Sequence, residues 1–164
     1  MAHSDVSLTN PPGRRIGAVV LVLDQEGRVL LVQPTYKPGK YQLPGGGAHA
    51  GEAPGVAAAR ELAEETGLAR KITHVLAVDY MPASSETAEG YNLVMDGGTL
   101  TAEEAASVAV PPEAAEELSA LKWVSVDELD MHVEPYQERR IRQALAVRKI
   151  GNRAPLLTRG EPVD

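Results

Sequence analysis

The chain has 164 residues, with 16 Lys plus Arg against 23 Asp plus Glu and a formal net charge of −7. One domain is expected, and the phosphate backbone of polymeric nucleic acid, which attracts clustered cations, is a poor partner for it. Cysteine is absent, which excludes disulfides, thiolate metal sites and Cys nucleophiles and fits a cytoplasmic protein; no apolar run approaches the ~20 residues of a membrane helix, and no signal-peptide core precedes the domain, so no membrane partner is expected.

Residues 1–13 are polar and end in Pro11-Pro12-Gly13, which predicts a flexible N-terminal arm, followed by a domain over 14–150 and a C-terminal tail over 151–164. Apolar runs over 16–23 and 29–33, separated by Asp24-Gln25-Glu26-Gly27, read as a hairpin. A loop follows over 34–40. Tyr41 to Leu43 is a short extended piece, stopped by Pro44-Gly45-Gly46-Gly47, where consecutive glycines are expected to end regular structure. Pro54 opens a helix that runs through Thr66 to Gly67, the left-handed stop. Strands are predicted over 72–80, 91–95 and 121–126, a turn or short helix from Asp127, and a second amphipathic helix over 136–150. Strands mixed with two helices predict an α/β or α+β layered domain. Charge is segregated: nine acids and no Lys or Arg lie between Ile72 and Leu121, and six cations lie between Arg139 and Arg153. That basic cluster reads as a solvated helix face in preference to an anion-binding or oligomer surface.

The first helix is unusually acidic. At 100° per residue, Glu61, Glu64 and Glu65 share one stripe, and Val56, Ala59, Leu62, Ala63 and Thr66 fall on the opposite arc, which predicts an inward apolar face and a wet face where Ala57 and Ala58 leave the carboxylates accessible. Like charges three and four apart cost about 0.2–0.5 kcal/mol per pair, and acids in the last turn oppose the helix dipole for roughly another 0.3–1 kcal/mol each. Arg60 is the one cation nearby and cannot neutralise three carboxylates. Hard oxygen ligands beside a glycine-rich turn suit Mg²⁺ or Mn²⁺, ions that share their coordination with water and phosphates. On the helix alone, an ordinary solvated acidic face stays an equal alternative.

The spacing Gly46, five residues, Glu52, seven residues, Arg60-Glu61-Leu62, one residue, Glu64-Glu65, one residue, Gly67-Leu68 resembles the signature of the Nudix hydrolases at every defined position. The lead-in Tyr41-Gln42-Leu43-Pro44-Gly45-Gly46 and the segment Lys122-Trp123-Val124 through Leu129 are similar to that family too. The resemblance implies an α/β/α sandwich, a mixed β-sheet between helices. It implies metal-dependent hydrolysis of a diphosphate bond in a nucleoside diphosphate linked to another group, a small nucleotide-like substrate, and room for a homodimer. A Nudix-fold nucleotide sensor that binds without turnover is the alternative. The resemblance assigns Glu61, Glu64, Glu65 and the Gly45 carbonyl to the metal, Mg²⁺ or Mn²⁺. Arg60 would orient Glu61, Gly46 and Gly67 would serve structural roles in the motif, and Glu52 would bridge loop to helix; members of that family differ over whether a helix Glu or a Glu from a later loop is the base, and Glu61 is the choice here.

Where many relatives carry a Glu about three residues before the Trp of the last strand, Ala120 stands here, and the nearest acids, Glu116 and Glu117, are both candidates for that role, with plain surface acids as the alternative. Substrate identity lies outside the signature. Tyr36 and Tyr41, with Lys37 and Lys40, are candidates to stack a base and contact phosphate, with packing tyrosines beside solvated lysines as the blander alternative. Pro82 is read as a loop proline, the histidines 3, 49, 74 and 132 are too scattered for a metal site, and Asn92 and Asp96 carry no assigned role.

Overall fold

The computed structural model describes residues 6–164. Of the expected arm, residues 1–5, with His3, lie outside the described residues; 6–13 are exposed and form neither helix nor strand. In chain order come β1 (Arg15–Leu23), β2 (Val29–Pro34), β3 (Gly45–Gly47), α1 (Pro54–Thr66), β4 (His74–Met81), β5 (Gly90–Thr99), α2 (Ala102–Ser107), β6 (Leu118–Val124), α3 (Leu129–His132), α4 (Pro135–Lys149) and β7 (Ala154–Pro155). A small hairpin, β8 (Leu157–Thr158) and β9 (Glu161–Pro162), ends the chain.

The sheet runs β6-β2-β1-β5-β4-β7, with β3 also paired to β1. β1 is antiparallel to β2 and β3 and parallel to β5. Its side chains alternate between two cores. Val20 and Val22 pack with Ala57, Ala58 and Leu62 of α1, whereas Leu21 and Leu23 join Ile141 and Ala144 of α4. Both faces of β1 are therefore covered, which is why its sequence is apolar almost throughout. The expected sandwich, a mixed sheet between helices, is the observed architecture.

Four features differ from the sequence-based expectation. The glycine run does not stop regular structure: Gly45–Gly47 pairs with Val19, Ala18 and Gly17 as β3, because backbone without side chains fits closely against β1. In α1 the burial is rotated. Ala57, Ala58 and Glu65 are buried while Val56 is 58% exposed; close approach to the sheet selects small residues over greasy ones. An additional helix, α2, forms inside the acid-rich stretch. Thr101 Oγ1 accepts from the Glu104 N–H at 3.1 Å and Glu104 Oε2 from the Thr101 N–H at 2.8 Å, a capping box written in the sequence as Thr-x-x-Glu.

The fourth concerns charge. The basic cluster is a solvated face only in part: Arg139, Arg142 and Lys149 are exposed, whereas Arg140 and Arg148 of α4, and Arg153 after it, turn to acids of the strands. Arg140 bonds Asp79 at 2.7 Å and is 8% exposed. Arg148 and Arg153 both hold Asp96, 5% exposed, at 3.2 and 2.9 Å. Part of the charge separated along the chain is thus paired in space, at Asp79 and Asp96. Beyond α4, β7 pairs with β4, and Leu156 packs on the core beneath α1.

Candidate active site

α1 starts at Pro54 and ends at Gly67, whose φ of 76° lets its N–H bond the Ala63 carbonyl. Between these stops the helix sets Glu61 and Glu65 against β3, not out in solvent. Glu65 is 8% exposed and its Oε2 accepts the Gly45 N–H at 2.8 Å. The Glu61 carboxylate lies over Gly46 so closely that a Cβ there would fall 2.5–2.8 Å from it. Glu64, 59% exposed, is the wet member of the set.

Arg60 organises the loop. Its Nε and Nη2 donate to the two Glu52 oxygens at 2.8 and 3.0 Å, a bidentate clamp, and Nη2 also reaches the Gly47 carbonyl at 3.2 Å. Nη1 donates to Glu61 at 2.8 Å and to Glu64 at 3.2 Å. Glu52 additionally accepts the His49 N–H at 2.8 Å, so it ties the loop to the helix. The Arg60 clamp, and then the His49 N–H, hold the Glu52 carboxyl down at about 2.

Glu65 behaves oppositely. Burial pushes its carboxyl up to about 8 against the lowering effect of the Gly45 N–H, and the negative charges of Glu61, Glu117 and Glu64 push the same way as burial. Glu117 and Glu113 reach this cleft from the segment before β6. Glu116 is not in its wall; its carbonyl accepts from Thr35 Oγ1. Of the two later acids the sequence left open, the structure therefore brings only Glu117 to the helix carboxylates. Glu113 went unnoticed, although its place after Pro111-Pro112 marks the same segment.

The donor chemistry fits a hard divalent cation: several carboxylates, one of them buried and unfavourably charged, served by a single guanidinium. As the side chains stand, no three acids or histidines among the described residues are close enough to hold an ion. Glu64, exposed and held by Arg60, is the one with freedom to swing in. Of the histidines, His74 hydrogen-bonds Thr73 at 2.8 Å, His132 meets the Tyr41 ring edge-on, and His49 lies 3.7 Å from Glu52.

On the other side of β3 lies a cleft of about 590 Å³. Gly45, Gly46 and Gly47 form part of its wall, so a strand without side chains is what separates it from the acids. Tyr36 and Lys37 line this cleft; Lys40 and Tyr41 do not. Tyr41 instead packs edge-on against His132 at 5.8 Å. Asn92, Gln137 and Arg140, to which sequence reasoning assigned nothing, do line it. A polar residue in the middle of the apolar strand run was the available signal for Asn92.

The two glycines of β3 make separable predictions. Gly45 has φ +143°, and a Cβ there would strike the Ala18 carbonyl oxygen and lie 2.6 Å from Val19 Cα. Gly45→Ala is therefore expected to destabilise the fold by about 2 kcal/mol or more, read as a lower melting midpoint. The three atoms nearest a Cβ at Gly46 all belong to the Glu61 carboxylate, the far end of a side chain and not backbone, so Gly46→Ala should keep its melting midpoint yet lose turnover in steady-state kinetics.

Comparison with known proteins gives a consistent picture. The family model described as NUDIX domain matches residues 13–146. A protein of Bacillus subtilis (strain 168) named as an 8-oxo-dGTP diphosphatase is 30% identical over 125 residues, 76% of this chain and 76% of that protein. Diphosphoinositol polyphosphate phosphohydrolase 2 of Rattus norvegicus is 38% identical over 65 residues, 40% of this chain and 36% of that protein. Among solved structures, the MutT protein of Methanosarcina mazei Go1 superposes with a TM-score of 0.66 at 24% identity, covering 88% of this chain and 99% of the other.

Proposed function

The chain belongs to the NUDIX domain family, and on that premise we propose that it hydrolyses a diphosphate bond in a nucleoside diphosphate linked to another group. The observation that carries the reading is the convergence of Glu61, Glu64, Glu65 and Glu117 on one cleft next to a strand of bare backbone. Glu61, Glu64, Glu65 and the Gly45 carbonyl would hold Mg²⁺ or Mn²⁺. Such an ion, when bound, supplies Lewis acidity, drawing charge from diphosphate oxygens and making water a better nucleophile.

The protein's own part is positioning and proton transfer. Arg60 fixes Glu61 and, through Glu52, the loop that carries Gly45 to Gly47. Glu61 is committed to Arg60 Nη1 at 2.8 Å, which weakens it as a base. Glu117, on the same cleft, is the better acceptor for the proton of the attacking water. Glu117→Gln is expected to lower kcat by about 10²-fold or more, with metal affinity little changed. Glu116→Gln should alter it by less than about twofold. Equal effects of the two substitutions would remove Glu117 from this role.

The charge of the larger cleft bears on the substrate. Its cations Arg15, Lys37 and Arg140 face Glu86 and Glu134, and Arg140 is already paired with Asp79. A densely phosphorylated ring, of the kind named for the rat relative, needs a basic cradle that this wall does not supply. A nucleotide does not.

The deciding experiment is a panel of nucleoside triphosphates, dinucleotides and nucleotide-sugars with Mg²⁺ and with Mn²⁺, read by metal-dependent release of a nucleoside monophosphate. Binding without turnover would favour the sensor reading instead.

A further inference from the structure

A third cavity, of about 850 Å³, lies between α1 and the C-terminal tail. It exceeds the cleft beside β3 and falls in the size range of small-molecule sites. Val56, Ala59 and Ala63 of α1 line it together with Leu156, Leu157 and Val163 of the tail, so most of its wall is aliphatic. The tail is fixed in place. The Leu156 N–H donates to the Thr73 carbonyl at 2.8 Å, and its carbonyl accepts the Val163 N–H at 2.9 Å. Its side chain packs so closely on α1 that a Cβ at Gly55 would fall 2.8 Å from Leu156 Cδ1. The cavity is therefore preformed, with the helix and the tail as its two sides.

Folding does not ask for this wall. Val56 and Leu157 are both more than half exposed, and at an exposed helix position Ala, Glu or Lys would favour α1 more than a β-branched valine does. Adjoining apolar side chains left in water around a cavity mark a place that something else covers. The charges are as unusual. The chain carries 23 acids against 16 cations, yet no acid lines the cavity and three cations do: Arg60, Arg70 and Lys71. Arg60 is committed to Glu52, Glu61 and Glu64, and Arg70 to Glu104 at 3.1 Å. Lys71 is exposed and has no acid partner among the described residues. An aliphatic groove with a free cation at its rim is complementary to a molecule with a hydrocarbon body and one negative charge.

We propose that this groove is a second binding site, which takes a small amphipathic monoanion: hydrocarbon against Val56, Ala59, Ala63 and Leu157, and one carboxylate or sulfonate at Lys71. It stands apart from the acids of the candidate active site and does not depend on the hydrolase reading. The apolar body supplies most of the affinity, because an ion pair at an exposed lysine contributes little; the charge supplies selectivity. A second copy of the chain is a poor occupant, since twofold pairing sets the cation-lined groove against itself.

The test titrates the full chain by fluorescence with anilinonaphthalene sulfonate and with its uncharged counterpart phenylnaphthylamine, using decanoate as competitor. Wild-type protein is expected to bind the sulfonate saturably at one site, and decanoate to displace it. Val56→Glu puts a negative charge in the wall while suiting the positive end of α1. Its melting midpoint should therefore not fall, although sulfonate affinity drops about tenfold or more. Lys71→Gln should weaken the sulfonate about two- to fivefold and leave the uncharged compound unchanged. Binding that does not saturate, that decanoate fails to displace, or that Val56→Glu leaves intact overturns the proposal. So does an equal change for both compounds in Lys71→Gln, an arm that decides the matter even if Val56→Glu does not fold. Sedimentation completes the test: a wild-type dimer that Val56→Glu dissociates would give the groove to a second copy and overturn the small-molecule site.

Discussion

Glu65→Gln is expected to reduce turnover by about 10²–10³-fold, the scale on which a single preorganised electrostatic group acts, while the melting midpoint stays level or rises. Both halves come from the same geometry. Glu65 is buried and surrounded by Glu61, Glu64 and Glu117, so its negative charge is unfavourable for folding. Glutamine keeps the shape and an oxygen able to accept the Gly45 N–H, and it removes the charge. What it cannot do is neutralise a cation or a diphosphate. Glu64→Gln should lose activity on the same scale but shift the midpoint little, because Glu64 is 59% exposed and its repulsion is screened. Steady-state kinetics with Mg²⁺ and Mn²⁺, alongside thermal melts, reads both quantities. Undiminished turnover in either variant would mean that these carboxylates do not carry the chemistry.

The second large effect is in pH. In metal-free protein, stability should fall as pH rises from about 5 to about 8, by up to a few kcal/mol. The sign follows from the proton count. Burial holds the folded Glu65 carboxyl at about 8 against an ordinary 4.5, so across this window the folded chain keeps a proton that the unfolded chain has released. Raising the pH therefore favours unfolding, and the contribution is flat above about 8, where both states are ionised. Glu52 cannot obscure the trend, because its carboxyl, held near 2, titrates well below the window. Glu65→Gln should abolish the slope. Mg²⁺ should raise the midpoint of the wild type more at pH 8 than at pH 5, since binding requires the ionised carboxylate. Melting curves with and without chelator, every half unit of pH, measure this directly; a slope that survives in Glu65→Gln would assign it to another group.

The fold was legible where local chemistry is self-sufficient. Pro54 and Gly67 bound α1 because one fixes φ and the other accepts a left-handed turn, and these preferences need no neighbour. The alternation of β1 between two cores was visible as an unbroken apolar run. Periodicity failed where closeness mattered more than hydrophobicity. Periodicity puts Val56 in the core and Ala57 on the wet face, yet contact with the sheet admits the alanine and leaves the valine outside. The three glycines looked like a terminator because their pairing partner, β1, is distant in sequence. The site followed the same division. Arg60, Glu61, Glu64 and Glu65 stand together by spacing on one helix, whereas Asn92 and Glu117 lie on other elements and gain meaning only from the clefts they line.

The two guanidinium groups that grip Asp96 also set how far the protein extends. The family match ends at residue 146, yet Arg148 and Arg153 lie beyond it. A chain trimmed to the matched boundary would leave a carboxylate that is 5% exposed without either counter-charge, a destabilisation smaller than that of a fully buried pair because Arg148 and Arg153 are 28% and 50% exposed. The last turn of α4 and the residues after it thus act as an electrostatic clasp on β5 from outside the stretch that the family model matches.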